Sequence, residues 1–197
     1  MNSFIPFLAE SLKSTGGKNV HLEHLEDEIF NGGFAGFSKA MNSLRGVVQS
    51  LHGNDTVPYD ISVKWDGAPA IIVGTDPENG KFFVGTKSVF NVTPKINYTE
   101  ADIDRNHEGE GLNAKLKLAL KHLKGLRITG ILQGDMLFDS ESLKRETIDG
   151  KRYITFQPNT IKYAIDPQSH LGARIAGAKI GIVFHTEYGG TTMRDLK

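Results

Sequence analysis

The segment Val63-Lys64-Trp65-Asp66-Gly67 joins an apolar run to a turn, and the elements around it indicate the fold. Ile61-Ser62-Val63 alternates as a strand does, which places Ser62 and Lys64 on one face. Asp66-Gly67-Ala68-Pro69 then has the composition of a turn. We therefore expect a strand that ends at Lys64 and holds its amine at the mouth of a sheet, with Gly67 letting a bound molecule approach the backbone.

Helices and β-hairpins are interspersed on both sides of this segment. Apolar residues at helical spacing predict one amphipathic helix from Phe34 to Leu51, after a break at Asn31-Gly32-Gly33, and another from Leu112 to Leu123. Turn residues predict hairpins around Asp76–Gly80 and Asp149-Gly150. Thr99 predicts a helix cap, and further apolar runs predict a short helix over 170–178 and strands over 128–138 and 179–184. The pattern predicts an α+β fold with antiparallel or mixed sheets.

The composition limits the classes of function. A chain of 197 residues fits one domain of ordinary size. Lys+Arg and Asp+Glu both number 23, so contact with a polyanion must come from a local patch. The chain has no cysteine, which excludes disulfides, thiolate zinc sites and a cysteine nucleophile. Its longest apolar runs fall far short of the ~20 residues that span a bilayer, so we expect no membrane partner.

The order Lys64-x-Asp66-Gly67 resembles the lysine motif of DNA ligases, RNA ligases and messenger-RNA capping enzymes. In those enzymes a lysine amine attacks the α-phosphate of a nucleotide, which requires that the amine be deprotonated. The same four residues would also fit an exposed lysine on a strand and turn without any chemistry. Later segments support the resemblance because they follow in the family's order.

Three later segments are similar to further motifs of this nucleotidyltransferase superfamily. Lys87, in Gly85-Thr86-Lys87-Ser88, matches in charge the basic residue that touches the nucleotide, although arginine is commoner there. Asp135, in an apolar strand leading to Gly134-Asp135, stands where the family usually has glutamate. Phe184 or Phe156 is similar to the aromatic residue that stacks on the base, and each also fits the core, since alternate strand residues face inward.

The resemblance implies a ligase-like, ATP-grasp-like core and a nucleotidyl-lysine intermediate on Lys64. It implies ATP as the nucleotide, Mg²⁺ as the metal and Asp135 as a ligand of the metal or the ribose. Val63, Asp66, Gly67, Lys87, Asp135 and one of the two phenylalanines would surround the nucleotide. The acceptor would be a nucleic-acid end.

Two further motifs of the family are missing before Lys197. They are an acidic strand that helps to hold the metal and a lysine pair on the α-phosphate, for which Glu187 and Lys162 are stand-ins outside any matching motif. We therefore expect either a chain truncated at its C-terminus or a domain that has lost the full reaction. The alternative function is that of a catalytically degenerate binding or structural protein, associated with a phage head, that keeps the ligase-like fold.

The first residues predict a segment that is separate from the folded domain. Phe4, Phe7, Leu8 and Ser11 have helical spacing, and Ser14-Thr15-Gly16-Gly17 predicts a linker. Met1–Ser11, with Leu8-Ala9-Glu10 as a cleavage site, resembles the capsid-targeting peptides of internal head proteins in T-even-like phages. We thus expect a peptide and linker over 1–18, a ligase-like domain over 19–197, phage head components as partners, and a location in the capsid interior or the host cytoplasm.

Charged clusters elsewhere have simpler explanations. His21, Glu23, His24 and Asp27 share a helix face but lack a sure third ligand, so a solvated helix is favoured over a metal site. The acidic run from Asp102 to Glu110 lacks the spacing of a calcium loop. Four lysines, Lys115, Lys117, Lys121 and Lys124, form the best local patch for nucleic-acid phosphates, although such a face is usually only solvated.

Overall fold

The computed structural model describes residues 25–53 and 63–196, and the chain divides into two compact units, residues 1–63 and 64–197. In the first unit, α1 runs from Leu25 to Leu51 and contains a non-helical residue at Gly33, with φ 54° and ψ −133°. Only glycine adopts this conformation readily, so the predicted break at Asn31-Gly32-Gly33 is confirmed. The carbonyl of Glu28 lies so close to Gly36 that a Cβ there would be 1.8 Å from its oxygen.

The second unit contains seven strands and three α-helices within its described residues. In chain order they are β1 (Ala70–Thr75), β2 (Phe82–Gly85), α2 (Glu100–Asn106), α3 (Glu110–Leu123), β3 (Ile131–Asp139), β4 (Lys144–Ile148), β5 (Lys151–Phe156), β6 (Tyr163–Ile165), α4 (His170–Gly177) and β7 (Ile180–Tyr188). All strand pairs are antiparallel. The predicted α+β class is therefore confirmed. No helix in the described part of the chain is both long and apolar enough to cross a membrane.

The larger sheet has the strand order β2-β1-β3-β7 and is covered on both faces. On one face, Ile71, Val73 and Met136 pack with Leu116 and Leu120 of α3. On the other face, a smaller cluster is formed by Ile72, Phe83, Val89, Ile131 and Met193. Successive side chains of a strand point to opposite faces, so β1 and β3 contribute to both clusters.

The smaller sheet has the order β4-β5-β6 and its own apolar cluster. Phe138, at the end of β3, packs there with Ile154, Phe156 and Ile175, and Trp65 and Tyr163 lie against them. The β4–β5 turn has positive φ at Asp149 and Gly150, as a two-residue hairpin turn requires. This hairpin, the one around Asp76–Gly80 and the Thr99 cap are all confirmed.

The start of the second unit differs from the prediction. Ile61 and Ser62 lie outside the described residues, and Val63–Gly67 have no strand conformation. The first strand begins only at Ala70, after a cis peptide bond between Ala68 and Pro69. Lys64 therefore lies in an irregular segment and does not end a strand. The short strand β6 was not predicted, because three residues give no usable periodicity.

Candidate functional site

The irregular residues Lys64–Pro69, here called the lysine segment, lie directly against the middle of β3. The amide of Ala68 donates to the Met136 carbonyl at 3.0 Å, and the Met136 amide donates to the Pro69 carbonyl at 3.1 Å. A Cβ on Gly67 would stand 2.5 Å from the Met136 carbonyl oxygen and 3.1 Å from Cβ of Asp135. Glycine is thus required at position 67 because the chain packs closely against β3. A bound molecule is not needed to explain it.

Aromatic residues of the smaller sheet hold the other side of the lysine segment. The ring centroids of Trp65 and Tyr163 are 4.9 Å apart, and those of Trp65 and Phe156 are 6.2 Å apart. The Tyr163 hydroxyl accepts the Asp66 amide at 2.7 Å and donates to the Asp66 carbonyl at 3.3 Å. Asn159 donates its side-chain amide to the Asp66 carboxylate at 3.3 Å. Local sequence patterns do not predict the roles of Tyr163 and Asn159, because their partner Asp66 lies more than ninety residues away.

Asp135 lies beside the lysine segment on β3. It pairs with Ala70 of β1 on one side and with Val183 of β7 on the other. Its carboxylate is 21 % exposed, and the nearest ring nitrogen of His185 is 3.8 Å away. A partly exposed carboxylate is the hard oxygen donor that Mg²⁺ prefers, and Mg²⁺ usually keeps waters and phosphate oxygens as its other ligands. Asp135 therefore fits the role of a single protein ligand for this ion.

Lys87 lies at the same end of the larger sheet. Gly85, the last residue of β2, pairs with Ile72, two residues after Ala70 in β1. Lys87 follows Gly85 by two residues and begins a 3-10 turn over Lys87–Phe90, which Thr86 caps through its hydroxyl. The antiparallel direction of β2 thus leads the chain toward the Ala70 end of β1 before it turns at Lys87.

Lys64 and Val63 are both exposed, and Val63 is 67 % accessible to solvent. Val63 is the last residue of the first unit, whereas Lys64 begins the second. Within the described residues, the Lys64 ammonium makes no ion pair with a carboxylate. Its side chain is therefore accessible to a molecule from solution.

Of the two phenylalanines expected to stack on a base, Phe156 belongs to the core and Phe184 is partly buried against it. Phe156 is 3 % exposed, and its ring contacts those of Trp65, Phe138 and Tyr163. Phe184 packs against the cluster beneath α3, which includes Met136. Asp135 precedes Met136 in β3 and points to the opposite face, so Phe184 and the Asp135 carboxylate lie on opposite faces of the sheet.

A small pocket of about 60 Å³ lies next to the lysine segment. Ala68, Met136 and Lys115 line it, together with residues near the ends of β3 and β5. The Lys115 ammonium donates to the Ala68 carbonyl at 3.2 Å, so this lysine leaves the solvated face expected for it. The pocket is far smaller than the roughly 300–1,000 Å³ of typical small-molecule sites.

The competing acidic clusters have structural partners. Asp102 closes the Thr99 capping box, and the hydrogen bond from Thr99 lowers the pKa of its carboxyl. Asp104 pairs with Lys117 at 2.7 Å, and burial lowers the pKa of His107. His21, Glu23 and His24 lie outside the described residues. Across residues 25–53 and 63–196, no group of three or more His, Asp or Glu side chains could hold a metal ion.

The two stand-ins for the missing motifs, Lys162 and Glu187, contact residues outside the lysine segment. Lys162 forms an ion pair with Glu146 of β4 at 3.0 Å. Glu187 lies near the end of β7, where it pairs with Leu132 and its carboxylate approaches Gly130. Lys162 is therefore engaged within the smaller sheet.

The fold and this site define an α+β protein in which a lysine segment is held between two antiparallel sheets. Residues 19–197 match DUF6267, a family of unknown function, and the chain belongs to that family. Comparison with curated proteins and with solved structures gives no match.

Proposed function

We propose that residues 64–197 form a nucleotidyltransferase of the nucleic-acid ligase type, in which Lys64 accepts a nucleotide, with ATP as the donor. The observation that carries the proposal is the contact between the lysine segment and β3 at Asp135 and Met136. Two segments that resemble separate motifs of one superfamily are adjacent in space although they are far apart in sequence. An exposed lysine on an ordinary turn would not require this neighbour.

The proposed reaction uses the residues as follows. The Lys64 nitrogen, after losing a proton, attacks the α-phosphorus of ATP, and a phosphorus–nitrogen bond forms as the bond to the bridging oxygen breaks. Pyrophosphate leaves with that electron pair. Lys87 contacts a phosphate or the ribose, and Asp135 holds the ribose or Mg²⁺. The ion would supply neutralising charge for the phosphates.

Tight anchoring of the lysine segment supports this chemistry. β3 hydrogen-bonds to the backbone of this segment at Ala68, and Tyr163 hydrogen-bonds to it two residues earlier, at Asp66. Backbone atoms held from two sides leave the long Lys64 side chain as the mobile part. Positioning of a nucleophile supplies a large share of the rate of such reactions. The nucleotide would then pass from Lys64 to a nucleic-acid end.

The test is covalent labelling of the full chain. The protein is incubated with ATP labelled at the α-phosphate and Mg²⁺, and is then separated on a denaturing gel. We expect a labelled band that Lys64→Arg abolishes, because a guanidinium stays protonated and cannot attack phosphorus. Lys121→Arg, at an exposed lysine of α3, is the matched control and should label like the wild type.

Each other outcome contradicts part of the proposal. Labelling that survives Lys64→Arg would place the nucleophile elsewhere. If the wild type labels with none of ATP, GTP, CTP and UTP, the enzymatic function is wrong.

A second function is favoured by two observations. One pocket beside the lysine segment measures about 60 Å³, and of the two candidate base-stacking rings Phe156 is buried in the core and Phe184 packs against it. These features fit a binding or structural protein that keeps a ligase-like sheet without the reaction. Association with a phage head would belong to this function, and it rests on the Met1–Ser11 peptide, which lies outside the described residues.

A further inference from the structure

The hairpin formed by β4 and β5, Lys144–Arg152, concentrates positive charge in a protein whose formal net charge is zero. This range has only two carboxylates but four exposed cations, which are Lys144, Arg145, Lys151 and Arg152. One of those carboxylates, Glu146, is engaged by Lys162 at 3.0 Å, and this contact lowers its pKa. The hairpin therefore presents a local excess of positive charge.

The strand register places like charges beside each other. Arg145 pairs with Ile154 and Arg152 with Thr147, so the two arginines lie on one face as diagonal neighbours, roughly 7–8 Å apart. On the opposite face, the half-buried Tyr153 pairs with Glu146, and Lys144 and Lys151 are its diagonal and along-strand neighbours. The two arginines so arranged repel each other and do not stabilise the hairpin. Phosphate oxygens of a polyanionic partner would offset this repulsion.

We propose that the basic hairpin Lys144–Arg152 binds the phosphate backbone of a nucleic acid. Arginine and lysine side chains are the usual partners of phosphate oxygens, and an aromatic ring between cations offers a stacking surface for a base. Tyr153 distinguishes this surface from one that fits an acidic peptide. The turn residues Asp149 and Gly150 offer no apolar side chain for insertion into a membrane surface.

The hairpin is also connected to the lysine segment, and this step rests on the proposed function. From Lys151 to Phe156, β5 extends roughly 17 Å, and the Phe156 ring stacks on Trp65, next to Lys64. That length corresponds to about five nucleotides of a helical strand. A strand bound along the hairpin would thus bring its end toward Lys64, as an acceptor must be.

The test measures binding by fluorescence anisotropy of a labelled single-stranded oligonucleotide, with the full chain and without ATP. Arg145→Gln combined with Arg152→Gln should weaken binding roughly tenfold and reduce the slope of log affinity against log salt by about 1.4, or ~0.7 for each lost phosphate contact. Lys81→Gln combined with Arg194→Gln removes the same charge from exposed positions, one just before β2 and one after β7, and should change neither quantity. Circular dichroism checks that both variants fold.

Several outcomes would overturn the inference. They are an equal loss of affinity in both double variants, no binding at low salt, or stronger binding to polyglutamate or phosphatidylserine vesicles than to the oligonucleotide. Because the assay contains no ATP, it is independent of covalent labelling. Hairpin-dependent binding without labelling would refute the nucleotidyltransferase and leave the hairpin as the surface of a binding protein.

Discussion

The two sides of the lysine segment are held by different kinds of contact. Toward β3 the contacts join backbone to backbone, and Gly67 has no space for even a methyl group. Toward the smaller sheet, side chains make the contacts: the rings of Trp65 and Tyr163 pack together, and the Tyr163 hydroxyl bonds to Asp66. Backbone contact sets a position that few substitutions can preserve, whereas side chains can rearrange. The β3 side should therefore be the more sensitive to mutation.

The largest effect is expected for Gly67→Ala. The new methyl group would lie 2.5 Å from the Met136 carbonyl oxygen, so the segment or β3 must shift. We expect urea unfolding to show a loss of about 1–3 kcal/mol, as for other overpacked sites. Labelling of Lys64 should fall by roughly tenfold or more, since small misplacements of a nucleophile are costly.

Gly111→Ala is the matched control for that variant. Gly111 lies in α3, and a Cβ there would meet no atom within 4 Å. Alanine is the better helix former, so this change should stabilise the protein by up to about 1 kcal/mol. A Gly67→Ala protein that is as stable and as active as the wild type would show that the contact with β3 can adapt.

A smaller effect is expected for Tyr163→Phe, on the aromatic side. The ring can stay in place, and only the hydroxyl that bonds to the amide and carbonyl of Asp66 is lost. Net stability should fall by about 1 kcal/mol. Hydrogen exchange of the Asp66 amide should become faster than that of the core amides. A purely global loss of stability would instead speed exchange throughout the core. Tyr153→Phe removes a hydroxyl from the other face of the smaller sheet and should leave Asp66 exchange unchanged.

The smallest effect is expected for Asn159→Ala. Its amide reaches the Asp66 carboxylate at 3.3 Å in an exposed position, where water can replace it. The unfolding free energy should change by less than about 0.5 kcal/mol, as for most surface substitutions. A loss as large as that of Gly67→Ala would reverse the proposed ranking of the two sides.

Local patterns in the sequence were sufficient for much of the fold. The helix of α3, the turn at Asp149-Gly150 and the cap at Thr99 each depend on residues a few positions apart. Helical spacing, positive φ and capping chemistry act over that range, so they can be predicted without knowledge of the fold. The strand expected before Lys64 was wrong at Val63, because an alternating pattern does not show whether a partner strand exists.

The sequence by itself determined the α+β class, the main helices and hairpins, and the order of Lys64, Lys87 and Asp135 along the chain. Only the tertiary structure decided which of these residues meet. Gly67 lies against β3, Tyr163 bonds to Asp66 across 97 residues, and Phe184 turns to the face opposite Asp135. Such contacts depend on strand order, register and the packing of whole sheets, and no residue's local neighbours in the chain specify them.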